Sequence, residues 1–319
     1  MDYKTSNEKK IKVIIDFDGT LTQEEKQVNQ LAELAFDTLS KEILKIPREK
    51  VSKDYQNTKQ IILAKPYKYT WKVNGISACY SNEGAFVLNT VTIQEMLSKN
   101  KFYKKCVGNF FDKLDYDPIT ECTNYLFHKN SALLKPIFRD RVKKTLIKMI
   151  QHPRIQPIVM TNSKTDKVRK NLETIGITQK CTKVCKFKYE IDILGDTRQY
   201  HMDSEWDHYF NHSEFGKIQI LQIDKNYKVD LRRPFYYKAI LDQAKDGSKV
   251  IAFGDIFSLV GSIPLMMGID FILLKAPYVP AWSEKFVKKH PKGRVIKNID
   301  QLNKEIEKIL LKGKNKEGD

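Results

Sequence analysis

Near the start of the chain, Val13 to Thr22 read VIIDFDGTLT. An apolar run of strand character stops at two aspartates, Asp16 and Asp18, set one residue apart and followed by Gly19, Thr20 and Thr22. In a parallel sheet, ligands bind beyond the carboxyl ends of the strands, where this pair falls. Two carboxylates so close repel each other, so either a cation and an anionic ligand sit there or the stretch is an ordinary polar turn. Gly19 allows a tight turn, and the threonine hydroxyls can tie down loose backbone groups. An EF-hand loop is excluded, because a strand precedes the acids and the third acid and closing glutamate are missing.

Further short apolar runs recur along the 319 residues: Pro157–Met160, Lys249–Phe253, Phe271–Leu274 and Arg294–Ile296. Amphipathic helical patterns alternate with them, at Arg139–Ile150, Lys164–Ile175, Tyr236–Ala244 and Asp300–Leu311, the last expected to stop at Gly313. Such alternation predicts an α/β fold with a doubly wound, mostly parallel sheet. Residues 23–135 break the rhythm with helical patterns at Val28–Leu44, Thr92–Lys99 and Phe102–Leu114. They also hold a hairpin signal, in which Tyr67, Tyr69 and Trp71 alternate ahead of Asn74-Gly75. The expected organisation is a core of residues 1–22 and 136–319, with 23–135 inserted as a mainly helical cap. A smaller excursion is expected at about 181–231, with its own hairpin in KIQILQIDKNYKVDL, Lys217 to Leu231.

Composition narrows the function classes. With 41% hydrophobic and 30% charged residues the chain reads as globular. Its first residues, MDYKTSNEKK, lack the apolar core of a secretion signal, and Asp255, Pro264 and Asp270 interrupt the most apolar later stretch. Five cysteines (Cys79, Cys106, Cys122, Cys181, Cys185) suggest reduced thiols and a cytoplasmic setting. Cys181 and Cys185 have no second pair, which argues against zinc. The net charge of +17 is spread along the chain, so it reads as a solvated surface favourable to anions, without a dedicated nucleic-acid site.

DFDGTLT after an apolar strand resembles the first motif of the haloacid dehalogenase (HAD) superfamily, mostly Mg²⁺-dependent phosphatases. That resemblance implies that Asp16 is the nucleophile, forming an aspartyl-phosphate, and that Asp18 protonates the leaving group and then activates water. The family's second motif is a Ser or Thr at a strand end, matched by Thr161 in PIVMTNS, with the Asn162 backbone N–H beside it to hold phosphoryl oxygens. Its third is a basic residue, usually Lys, often before a proline. Here Arg233 precedes Pro234, and Lys238 on the following helix is the alternative phosphate-binding residue. Its fourth is a strand-end acid, matched by Asp255, which with Asp16 and Asp18 would bind Mg²⁺.

The chain departs from the family where many relatives carry a second acid after the fourth motif. Leu259 and Val260 stand there instead. Ser258 could hydrogen-bond a metal-bound water but is no substitute for a charge. The implied activity is phosphomonoester hydrolysis on a small phosphorylated metabolite. The alternatives are a phosphotyrosine protein phosphatase of the same fold, or a lapsed HAD fold that only binds.

Three other constellations invite bland readings. His201, Asp203, Asp207, His208 and His212 share a histidine-rich stretch that lacks the glutamate of zinc proteases. The Tyr67, Tyr69, Trp71 stripe between lysines could stack bases, but alternation points to a half-buried hairpin; a third reading places it near the active-site mouth, contributing to specificity. The final helix could lie on an anionic membrane surface, but Leu302, Ile306 and Ile309 are expected to pack on the sheet.

Overall fold

A computed structural model describes residues 10–112, 115–181, 186–206 and 219–314. The opening apolar run is strand β1 (Ile11–Ile15). An insert follows with helices α1 (Val28–Thr38), α2 (Arg48–Ala64), α3 (Ala85–Lys99), α4 (Lys101–Phe110) and α5 (Pro118–Ser131), and a hairpin of β2 (Thr70–Val73) and β3 (Ile76–Tyr80). The chain then runs through α6 (Val142–Gln151), β4 (Ile155–Met160), α7 (Thr165–Glu173), β5 (Ile177–Gln179) and β6 (Tyr189–Leu194). A second hairpin, β7 (Ile220–Gln222) with β8 (Lys228–Asp230), leads into α8 (Pro234–Ala244) and β9 (Lys249–Gly254). The last elements are α9 (Ser262–Met266), β10 (Asp270–Leu274), α10 (Ala281–Lys289), β11 (Gly293–Ile296) and α11 (Leu302–Lys314).

Seven strands form one sheet in the order β11-β10-β9-β1-β4-β6-β5, and every neighbouring pair is parallel. Strand β1 therefore lies in the middle, paired with β4 on one side and β9 on the other. The chain builds outward from β1 in one direction and then in the other, so the topological switch point lies at the carboxyl end of β1.

Alternation along β1 explains the layers. Val13 and Ile15 face a cluster with Leu146 of α6, Val168 of α7 and Ile306 of α11, while Ile14 faces Ile240 of α8 and Ile263 of α9. Both faces are covered, as near-continuous apolar strands require. The final helix lies on the sheet through Leu302, Ile306 and Ile309, and it runs past Gly313 to Lys314. Among the described residues no helix is long and apolar enough to cross a membrane.

The insert has a core of its own, in which Phe36, Tyr55, Leu97, Tyr103 and Leu126 pack together. Asn100 and Asp117 cap α4 and α5 by accepting from the backbone N–H groups two and three residues on. Asn74 and Gly75 both take positive φ (49° and 79°), as a two-residue hairpin turn demands. The insert also shares a cluster with the sheet, where Val73, Tyr80 and Val91 join Tyr236, Phe257 and Trp282. Tyr80 Oη donates to the Lys228 carbonyl at 3.1 Å and accepts from its N–H at 3.0 Å.

Three expectations need correction. Residues 189–194, placed in an excursion, form β6 inside the main sheet between β4 and β5. Their polar alternation hid them: Ile191 and Ile193 are buried in the core and Tyr189 packs on it partly buried, with Glu190 and Asp192 between them. Helices α2 and α5 are additional to the helical patterns expected in the insert. The strand of the Tyr67 stripe begins at Thr70, because Pro66–Lys68 form a 3₁₀ turn and Tyr67 is exposed. Asp207, His208, His212 and Cys185 lie outside the described residues. His201 instead meets the Tyr116 hydroxyl at 2.8 Å and stacks on Phe235.

Candidate active site

Asp16 follows β1 directly, is 6% exposed, and donates its backbone N–H to the Phe253 carbonyl of β9 at 3.0 Å. The turn after it is built around the second acid-bearing strand. Thr20 Oγ1 donates to Asp255 Oδ1 at 2.7 Å and accepts the Asp255 N–H at 3.1 Å. Thr20 also lies 3.4 Å from Asp16 Oδ2. Gly19 sits at φ +78°, and a Cβ there would overlap the Asp255 carboxylate, so both backbone and space require glycine. Arg139 closes the turn from outside, donating Nε and Nη2 to the Gly19 carbonyl while pairing with Glu25 at 3.0 Å.

Thr161 follows β4 and is buried; its Oγ1 accepts the Ser163 N–H at 3.2 Å. Asn162 is fixed by Gln199 through two hydrogen bonds, of 2.7 and 3.3 Å. Ser163 Oγ donates to Asp18 Oδ2 at 2.5 Å, and Lys167, one helical turn on, reaches Asp18 Oδ1 at 3.3 Å. The sequence reading passed over Ser163 and Lys167. Ser163 lies in the bend before α7 and Lys167 in its first turn, and their four-residue spacing was the available signal.

Arg233 is fully buried and gives its guanidinium to three main-chain carbonyls: Gln199 at 3.1 Å, Asp230 at 3.3 Å and Ala78. Lys238 is exposed on α8. Neither residue lines the cavity that contains Asp16 and Asp18, so the structure puts no third-motif cation there. Pro234 opens α8, and the Arg233 side chain before it points inward to carbonyls of β3, β8 and the loop after β6.

Two insert glutamates gather beside the acids instead. Glu24, in the 3₁₀ turn Glu24–Lys26, is 4% exposed and accepts the Ala85 N–H at the start of α3 at 2.5 Å. Glu83 is fully buried and accepts from Tyr80 N–H at 2.9 Å and Ser258 N–H at 3.0 Å. Glu83 thus holds the backbone just after Asp255, where Leu259 and Val260 replace the expected acid.

Charge is crowded here. Burial, then Asp255 and Asp18, push the Asp16 carboxyl well above the usual range. Burial, then Asp255, does the same to Glu24, and burial raises Asp255 to about 6. An all-oxygen set of buried carboxylates whose proton affinities rise together suits a hard dication such as Mg²⁺. Among the described residues no three His, Cys, Asp or Glu side chains already form a metal cage. Asp255 is held by Thr20, and Asp18 by Ser163 and Lys167.

The cavity over Asp16 and Asp18 has a volume of about 80 Å³. Thr161, Asn162 and Gln199 face it from the sheet, and Trp71, Phe86 and Phe127 from the insert. A larger surface groove of about 940 Å³ follows α6 and holds neither Asp16, Asp18 nor Asp255. Chemistry, not size, marks the smaller one as the site.

Fold and site together define a doubly wound parallel α/β protein with an acid-lined cavity at its switch point. No family model matches the chain, and no curated protein does. Solved structures similar to it include the HAD-family protein YfnB of Bacillus subtilis bound to magnesium, 12% identical, covering 92% of this chain and 97% of that one at a TM-score of 0.44. A 2-haloacid dehalogenase from Pseudomonas syringae pv. Tomato is 13% identical over 93% of this chain and 98% of its own, at 0.42. A HAD-superfamily hydrolase of subfamily IA from Geobacter sulfurreducens is 14% identical over 94% and 98%, also at 0.42. The fold and site described here stand on the chain's own strand order and side chains.

Proposed function

We propose that this chain is a Mg²⁺-dependent phosphomonoester hydrolase of the HAD type, working through an aspartyl-phosphate on Asp16. One observation carries this reading: Asp16, Thr161 and Asp255 end three adjacent central strands, and Asp18 shares the cavity of Asp16 and Thr161.

An Asp16 carboxylate oxygen attacks phosphorus as the ester P–O bond breaks, and Asp18 gives its proton to the departing alcohol oxygen. Asp18, now ionised, takes a proton from water while that oxygen attacks phosphorus. The Asp16–phosphorus bond then breaks, freeing inorganic phosphate. The Thr161 hydroxyl and Asn162 N–H serve the phosphoryl oxygens, and Ser163 with Lys167 orients Asp18. Bound through Asp16, Asp18 and Asp255, Mg²⁺ would supply the positive charge that keeps Asp16 ionised and offsets the phosphoryl oxygens.

Insert side chains close over the cavity and are tied to the core, which favours a small phosphorylated metabolite over a folded phosphoprotein. Hydrolysis of an aryl phosphate by the parent chain, with Mg²⁺ and with EDTA, tests the proposal beside Asp16→Asn. The expected result is metal-dependent turnover that falls by more than about 10³-fold in the variant. A folded parent without turnover on aryl phosphate or a phosphorylated-metabolite panel would support a binding-only protein instead.

A further inference from the structure

The cavity over Asp16 has two unlike walls, and on the hydrolase reading the one away from the sheet receives the leaving group. That wall is aromatic. Trp71 of β2 packs on Tyr200 with ring centroids 5.2 Å apart, and Phe86 of α3 meets Phe127 of α5 at 5.9 Å. Polar edges are set among the rings. The Trp71 indole N–H is buried and finds no acceptor among the described residues, and Thr90 and Asn124 also reach the cavity.

No lysine or arginine lines the cavity among the described residues. Of the nearby cations, Lys167 is paired with Asp18 and Arg233 with three carbonyls, while Lys164 and Arg198 line the adjoining groove rather than this cavity. His128 reaches the cavity, but burial, then Lys164 and Lys167, lowers its proton affinity. Glu24 adds a carboxylate to the lining beside Asp16 and Asp18.

We infer that this site takes phosphomonoesters of uncharged alcohols bearing an aromatic ring, and refuses esters that carry a second anionic group. A ring can lie among Trp71, Tyr200, Phe86 and Phe127, with its polar edge toward the indole N–H and Asn124. A carboxylate or second phosphate in that place would meet Glu24 and no lysine or arginine in the lining.

Benzyl phosphate, glycerol 3-phosphate and 2-phosphoglycolate test this with the full chain and Mg²⁺. All three release aliphatic alcohols, so leaving-group acidity does not dominate. Like-charge juxtaposition costs several tenfold steps, so kcat/KM for benzyl phosphate should exceed that for phosphoglycolate by about 100-fold, with glycerol phosphate between. Trp71→Ala should lower the benzyl value by up to about tenfold, the worth of one aromatic pair, and so narrow the ratio of benzyl to glycerol phosphate turnover. Asn124→Lys should raise phosphoglycolate turnover by about tenfold.

Calorimetry on Asp16→Asn with Mg²⁺ reads the same preference without turnover. Tighter binding of benzyl phosphate there, with no ester hydrolysed by the parent, would uphold the selectivity and sink the hydrolase reading. Equal or tighter binding of phosphoglycolate would overturn the selectivity whatever the parent hydrolyses.

Discussion

The molecule buries charge in two places, and it treats them in opposite ways. Around Asp16, carboxylates from β1, β9 and the insert crowd together with too few donors, and their protons are held tightly. Around Arg233, a single guanidinium meets three carbonyl acceptors, one for each of its nitrogens. Charge left unmet inside a fold is costly and persists where a ligand completes it. Charge that is fully met joins segments together.

Variants can break this contrast, and the largest effect belongs to the Arg233 charge. Arg233→Met strands three carbonyls and should cost about 3–5 kcal/mol, read as a fall in Tm or in the denaturant midpoint. A loss below 1 kcal/mol would mean that the guanidinium is not an architectural bond.

Next comes the metal. Asp255 is raised to about 6 in the folded chain, and Asp16 and Glu24 are raised well above their ordinary values. The stability linked to groups raised on folding is full below their unfolded pKa, near 4, and is lost as pH climbs through the folded value. The metal-free chain should therefore be less stable at pH 8 than at pH 5. Mg²⁺ at a hundred times its Kd should restore about 2.7 kcal/mol at pH 8. The gain should be smaller at pH 5, where protons compete. A gain that does not depend on pH would argue against binding at these carboxylates.

The smallest effect is the most telling. Asp16→Asn removes one of the repelling charges, so the metal-free chain at pH 8 should gain about 1.5 kcal/mol while activity collapses. A destabilised variant would show that Asp16 contributes to architecture after all.

The strand-end residues Asp16, Thr161 and Asp255 were legible because a strand and the turn after it are local events, written in a few adjacent residues. Central strands β1, β4, β9 and β10 were legible for the same reason, as unbroken apolar runs buried on both faces. Strand β6 was not, since Glu190 and Asp192 alternate with its apolar residues. The fates of Glu24, Glu83 and Arg233 are set by contacts with residues far along the chain. Nothing next to Arg233 in sequence tells whether its guanidinium turns toward a ligand or toward the carbonyls of Ala78 and Gln199. Pro234 was a signal for where a helix starts and was silent on what the side chain before it would meet.

The Arg233 clasp also bears on how the chain is made. It joins residues 78, 199 and 230, and β1 finds one of its two neighbours only at Lys249–Gly254. During synthesis the helical insert, with its own core, can assemble early. Ala78 and one edge of β1 must wait for their partners on the order of ten seconds at ordinary elongation rates. Through that interval an apolar strand edge lies open to wrong pairing. A cell lacking holdases should therefore lose this protein on the ribosome sooner than a finished molecule's stability would suggest.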